Sequence, residues 1–339
     1  MTPQHRDLVV IGASAGGVEA LKALVAGIPP DLPAAVVVVL HLPAGGTSAL
    51  AQILRRFGPL PAVTAASGMP IARGKVYVAP PDHHLLVLED QLVLSHGPTE
   101  NGHRPAINAL FRSAAVAFGP RVTGMLLSGV LDDGVAGLVA IRDRGGRTIV
   151  QDPRDALYPG MPTSALSHLT PDHVLTTSQM GDVLLKLARE EVDAGESPPA
   201  PAGMSLENGI ALDEHHRAAD YQAEGMGEHS GLTCPDCQGS LSELAAGNGW
   251  FRCRVGHAWS EEALLSAQGD VFERALWTAL RSLDEKASLS LKMRDAAIER
   301  GNFRTAERYA LTAEEATEAA DVLRGRLTAV TTRPVADEA

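Results

Sequence analysis

The run Ala-Ala-Val-Val-Val-Val-Leu at 34–40 leaves this chain few ways to fold. A strand without polar alternation must be covered on both faces, which is the situation inside a parallel sheet flanked by helices. The neighbouring sequence agrees. LVVIG at 8–12 is a second β-branched run, and between the two Val18, Leu21, Leu24 and Val25 recur at helical spacing until Gly27 and Pro29-Pro30 end the helix. The alternation continues to about residue 190. It predicts helices over 48–57, 105–118 and 135–142, and strands in KVYVAP, in HLLVLEDQLVLS with a turn at Glu89-Asp90-Gln91, in VTGMLLSGV (122–130) and in RTIVQD (147–152). The expected fold is α/β, a doubly wound, Rossmann-like parallel sheet over 1–190.

Beyond residue 190 the composition changes. EEVDAGESPPAPAG and the polar sequence after it, 191–231, read as a linker. A module at 232–260 holds all three cysteines. From Glu261 to Leu327 the chain is rich in Ala, Leu, Glu and Arg and breaks near Gly301-Asn302. Leu276, Leu280, Leu283, Ala287 and Leu291 form one stripe; Ala316, Ala320, Leu323 and Leu327 form another. An antiparallel helical hairpin over 261–330 is expected, with the stripes as its packing faces.

Lys+Arg number 29 against 41 Asp+Glu, a formal charge of −12, which argues against broad contact with nucleic acid or an anionic membrane. The start, MTPQHRDLVVIG, lacks a basic segment followed by an apolar one, and no apolar run approaches the ~20 residues that span a bilayer. A cytoplasmic protein without membrane insertion is expected.

The first strand runs into Gly12-Ala13-Ser14-Ala15-Gly16-Gly17. A dinucleotide loop wants a glycine where Ser14 stands, and an acid after the second strand, where His41 stands instead. The same letters satisfy G-x-S-x-G, a turn that lifts a serine hydroxyl above the sheet. His41 follows the second strand and Asp132-Asp133 follow VTGMLLSGV, so parallel strands would bring all of them to the carboxyl edge. A histidine at a strand end and an Asp-Asp-Gly turn are also ordinary loop chemistry. Pattern alone leaves a Ser-His-Asp hydrolase and a small-molecule binding domain both open.

Several motifs in order add to this: IGASAGG (11–17), LHLPAGGTSALAQIL (40–54), GKVYVAPPDHHL (74–85), GHRPAINALFRS (102–113), LLSGVLDDGVAGL (126–138) and GMPTSAL (160–166). Through them residues 6–190 resemble the catalytic domain of the protein-glutamate methylesterases of bacterial chemotaxis, the CheB family. The resemblance implies a serine hydrolase that removes methyl esters from glutamate side chains of methyl-accepting receptors and also deamidates glutamines, with no cofactor for catalysis. It assigns Ser14 as nucleophile, His41 as base and Asp133, rather than Asp132, as the orienting acid. It implies oxyanion donors from the backbone at Val130 and, at the helix start, Ala15. Arg104 is a candidate contact to an acidic receptor segment, with a structural helix-start role as the alternative. The sequence departs from the family pattern at Ala15, usually threonine, and at Val130-Leu131, usually Met-Gly. A chain without the family's receiver domain is expected. Val130-Leu131 and the missing receiver motivate a rival reading, a catalytically weak signalling adaptor that binds receptors or kinase complexes; a general esterase of small acyl groups is a third.

The cysteines form a separate pattern, Cys234-x2-Cys237-x15-Cys253-x3-His257. Two short-spaced pairs separated by a hairpin supply the four tetrahedral ligands of a structural zinc site. Loss of the metal is expected to unfold this module but not the esterase domain. Asp82-His83-His84 has no further ligand at a suitable spacing and reads as a polar turn.

Overall fold

The computed structural model describes residues 4–46, 48–192, 198–213, 226–244 and 249–331. The chain divides into two compact units, Met1–Leu264 and Leu265–Ala339.

In the first unit the chain passes through β1 (Gln4–His5), β2 (Leu8–Ala13), α1 (Gly17–Gly27), β3 (Ala35–Leu40), α2 (Leu50–Phe57), β4 (Ala62–Thr64), β5 (Met69–Pro70) and β6 (Val76–Val78). There follow β7 (His84–Leu88), β8 (Gln91–Ser95), α3 (Ile107–Phe118), β9 (Val122–Leu126), α4 (Val135–Asp143) and β10 (Arg147–Gln151). Then come α5 (Gly160–His168), β11 (His173–Leu175), α6 (Thr177–Ala188), β12 (Glu191–Val192) and α7 (Ala202–Ala211). Four strands close the unit: β13 (Met226–Thr233), β14 (Ser240–Leu244), β15 (Trp250–Cys253) and β16 (Ala258–Ser260).

Seven strands form one parallel sheet in the order β11-β10-β9-β2-β3-β6-β4. This is the doubly wound arrangement expected from the sequence. The apolar runs are split by side-chain alternation between two cores. Val9, Ile11, Val36 and Val38 pack with Leu21, Leu24, Met180 and Leu184 of α1 and α6. Leu8, Val10, Val37 and Val39 pack with Leu110, Phe111, Leu138 and Ile141 of α3 and α4. Each fully buried aliphatic side chain contributes about 1.5–3 kcal/mol, so a strand buried on both faces stabilises both layers. The strand order turns at β2, with β3 on one side and β9 on the other. The carboxyl ends of these three strands therefore border the crevice where open α/β sheets carry their sites.

Two expectations are corrected. The strand read over 122–130 ends at Leu126. The N–H of Leu127 still meets Gly12 O, but the N–H of Ser128 is taken by the Gln151 side chain and its carbonyl by the N–H of Ser14. The stretch read as a linker over 191–231 contains α7, whose Ile210 and Ala211 are buried and which packs with Leu86, Ala106 and Ala109. An apolar set (Met204, Ile210, Ala211, Leu212) inside Pro- and Gly-rich sequence was enough to build a helix there. The same stretch also holds β12 and most of β13, while 193–197 and 214–225 lie outside the described residues.

The β13–β16 sheet is antiparallel and belongs to the first unit. Arg252 of β15 is buried and pairs with Glu207 of α7. Arg112 of α3 makes a two-pronged bond to buried Glu100, at 2.6 and 3.2 Å, and donates to Asn208 of α7 at 3.1 Å. Paired, hydrogen-bonded charges of this kind are costly to break one at a time.

The second unit is made of α8 (Glu261–Glu299), apart from its first four residues, and α9 (Phe303–Thr331), joined at Gly301 in left-handed conformation (φ 72°). The break falls at Gly301-Asn302 as expected. Leu280, Ala320 and Leu327 are buried with Leu276, Leu283 and Leu323 against them, whereas Leu291, assigned to the same stripe, is exposed. Among the described residues, no helix is long and apolar enough to cross a membrane.

Candidate active site and metal centre

Ser14 follows β2 directly, and the turn behind it is made by Gly16 in left-handed conformation (φ 70°), where α1 begins. A side chain at Gly16 would press on Ser128 Oγ at 2.7 Å and Leu157 Cβ at 2.9 Å, so the turn needs glycine for space as well as for φ. The elbow is held on its far side by Ser128. The N–H of Ser14 donates to Ser128 O at 2.9 Å, and Ser128 Oγ donates to Ala15 O at 2.8 Å while accepting from Tyr158 N.

His41 is the first residue after β3, and its N–H donates to Ala13 O at 3.1 Å. Its ring lies between the other two expected residues. Nδ1 is 3.1 Å from Ser14 Oγ, and Nε2 is 2.8 Å from Asp133 Oδ2. The carboxylate fixes the proton on Nε2, which leaves the Nδ1 lone pair to accept from the serine hydroxyl. The side chains of His41 and Asp133 are 7% and 3% exposed, so both bonds are shielded from water. Asp133 also accepts from the N–H groups of Ile107 (2.7 Å) and Asn108 (3.2 Å), the first amides of α3. Burial pushes this carboxyl up, but the His41 bond, the nearby imidazole charges and the Ile107 N–H outweigh it and hold it below the usual range. The charged form is the one that can orient His41.

The backbone makes room for this constellation at Gly12. A Cβ there would fall 2.2 Å from Ile107 Cγ2, so glycine in β2 lets the start of α3 approach close enough to reach Asp133. Gly129 does the same beside Ser14, since its Cβ would lie 2.9 Å from Ser14 Cβ. Among the described residues, no acceptor meets the backbone N–H of Ala15, Gly16 or Val130. Free amides beside a serine hydroxyl are the equipment of an oxyanion site.

The remaining candidates are placed less centrally. Val130 is 48% exposed, and Leu131 sits at φ 61°, the left-handed conformation that glycine at the same motif position adopts without strain. Arg104 spends four of its N–H groups internally, two on Asp82 and one each on His96 O and Gly97 O. This is the structural alternative raised for it. His83 and His84 bond to the carbonyls of Pro81 and Pro98, and His84 Nδ1 accepts from Ala106 N.

Two contacts beside these residues escaped the sequence reading. His103 stacks on His41 with ring centres 3.7 Å apart. Asp132, next to Asp133, is buried and accepts from Ser260 Oγ of β16 at 2.7 Å. Burial is the main reason that its carboxyl is pushed up to about 6, with the negative charges of Glu262 and Asp133 adding and the Ser260 bond opposing. Both contacts join residues far apart in sequence, and neither carries a local signal. Only the presence of His103 in the motif GHRPAINALFRS marked it as near the site.

Cys234, Cys237, Cys253 and His257 come together with all their donor atoms within 4.8 Å of one another. Each pair stands in a tight turn. Cys234 N–H donates to Gly239 O and Gln238 N–H to Cys234 O, while Cys253 N–H donates to His257 O and Gly256 N–H to Cys253 O. Cys237 and Cys253 are 3.6 Å apart at sulfur, and His257 Nδ1 is 3.4 and 3.7 Å from Cys253 and Cys234. A tetrahedron with metal–sulfur bonds of about 2.3 Å has edges of about 3.8 Å, so the set fits a zinc-sized cation. Its bond to Cys234 and its burial push the Cys253 thiol up, a crowding that a dication relieves.

The comparisons with known proteins agree with this geometry. The family model described as CheB methylesterase matches residues 9–184. A protein-glutamate methylesterase/protein-glutamine glutaminase of Methanosarcina mazei is 37% identical over 192 residues, 54% of this chain and 52% of that protein. One of Geobacter metallireducens is 38% identical over 193 residues, 56% of each. The chain thus spans about half the length of the curated relatives it matches. The crystal structure of the Thermotoga maritima CheB methylesterase catalytic domain superposes with TM-score 0.51 at 31% identity, covering 53% of this chain and 98% of that one. With the family model over half its length and a serine, histidine and aspartate joined at the crevice, the chain belongs to the CheB methylesterase family.

Proposed function

We propose that this protein is a protein-glutamate methylesterase acting on methyl-accepting receptors, with Ser14, His41 and Asp133 as its triad. The observation that carries the reading is the unbroken hydrogen-bond chain from Ser14 Oγ through His41 to Asp133. Ser14 Oγ attacks the carbonyl carbon of a glutamyl γ-methyl ester while His41 Nδ1 takes its proton. The N–H groups of Ala15 and Val130 receive the oxyanion, each such donor contributing about 3–4 kcal/mol to the transition state. As the C–O bond breaks, His41 returns the proton and methanol leaves. Water then attacks the acyl-serine with His41 again as base, which frees glutamate and Ser14. On a glutamine side chain the same steps release ammonia. No step uses a metal or an organic cofactor.

Zinc is assigned to Cys234, Cys237, Cys253 and His257 as a closed structural site, because all four positions are filled by protein donors. The setting is the cytoplasm, where such thiols stay reduced for metal binding. A complete triad favours catalysis over a binding-only adaptor. The substrate class is tested by comparing methanol release from a methylated receptor fragment with hydrolysis of a small acetate ester. A methylesterase turns over the fragment at far higher kcat/KM, whereas equal or better turnover of the small ester identifies the general esterase instead.

A further inference from the structure

The metal-binding module reaches the triad at two points, and both run through β16. Ser260, the last residue of β16, is 4% exposed and bonds through both its hydroxyl and its backbone N–H. Its Oγ accepts from Ala263 N at 3.1 Å, which caps α8, and donates to Asp132 Oδ1 at 2.7 Å. Its N–H donates to Asn101 Oδ1 at 2.9 Å. One turn of backbone away, Ala258 N donates to Thr99 O and Asn101 N to Ala258 O, while Thr99 Oγ1 bonds to Asp236 in the turn between Cys234 and Cys237. The loop so fixed continues to His103, which stacks on His41.

We propose that Ser260 is a positioning residue for the triad. It anchors Asp132, and through the peptide link to Asp133 and the Asn101–His103 loop it holds the acid and the base in register. The inference rests on the triad reading above. The physical case is that Asp133 lies in a short irregular segment between β9 and α4, where Leu131 has φ 61° and Gly134 has φ 96°. Such a segment has no ladder of its own to hold it, and the first side-chain anchor before Asp133 is Asp132 on Ser260. A misplacement of the acid by a fraction of an ångström weakens proton transfer without unfolding anything.

The test uses the full chain and a fluorophosphonate probe that phosphonylates an activated serine, followed by mass spectrometry across a pH series. Ser260→Gly removes the hydroxyl but remains a serviceable helix N-cap, and Ser260→Thr keeps the hydroxyl. Ser14→Ala reports on the triad itself. Ser260→Gly is expected to react about tenfold more slowly at the pH plateau. The pH profile of the reaction is expected to change with it, since Asp133 orients the base through His41 Nε2. Ser260→Thr is expected to restore both. If Ser260→Gly melts lower yet shows the wild-type rate and profile, Ser260 is only a helix cap and the inference is overturned. If Ser14→Ala still takes up the probe at the wild-type rate, the triad reading has failed instead.

Discussion

The imidazole of His103 lies flat on that of His41, ring centres 3.7 Å apart and planes 17° from parallel. Burial and the charge of His41 push His103 down to about 4, against the pull of Asp133. His103 is therefore neutral at neutral pH, and its ring packs on His41 without adding a charge there.

This depressed value has a stability consequence. An unfolded chain titrates His103 near 6.5, so between there and about 4 the unfolded state binds more protons than the folded one. The contribution is complete above the unfolded value and is lost as pH falls toward the folded one, about 3 kcal/mol in all. His103→Phe keeps a ring on His41 but cannot titrate. Urea unfolding across this range is expected to show a flatter acid limb for the variant, and identical limbs would contradict the assignment.

Gly12→Ala places a methyl group against Ile107, whose N–H holds Asp133. Overpacking of this kind costs about 1–3 kcal/mol. The displaced amide is also expected to lower kcat by about tenfold or more, with KM little changed. A loss confined to stability would mean that α3 shifts without disturbing the acid.

Leu131 is a leucine in left-handed conformation (φ 61°) beside Val130. Leu131→Gly is expected to stabilise the fold by about 1 kcal/mol, read as a higher melting temperature. No change, or a loss, would show that the leucine side chain compensates for its backbone.

Metal analysis is expected to find about one zinc per chain, given four protein donors in one closed set. Chelation is expected to lower the melting temperature of the first unit as a whole, because Arg252 and Ser260 tie the module to α7 and to Asp132. A melt in which only a minor early transition moves would restore the independent module suggested by composition.

Ser14 and His41 could be placed from sequence because each directly follows an apolar strand, and parallel strands bring such ends to one edge. The aspartate pair follows the run that contains β9, and only the family resemblance singled out Asp133 from Asp132. The two cores were legible from the apolar runs too, since Val36 to Val39 can alternate only between two covered faces. Side-chain contacts between loops have no periodicity to betray them. His103 on His41 and Ser260 on Asp132 therefore appear only in three dimensions. Helix α7 was hidden by its surroundings, because Pro199, Pro201 and Gly203 mask the apolar positions that bury Ile210 and Ala211. The attachment of the metal module rests on charges and hydroxyls that, in sequence, are indistinguishable from solvated ones.

The most direct measurement is methanol release from a methyl-esterified receptor fragment, comparing wild type with Ser14→Ala and Asp133→Asn. Wild type is expected to release methanol steadily, Ser14→Ala to release none above the uncatalysed rate, and Asp133→Asn to fall by about 10³–10⁴-fold as the tautomer of His41 is lost. Undiminished release by a folded Ser14→Ala protein would contradict the assignment of Ser14 as the nucleophile.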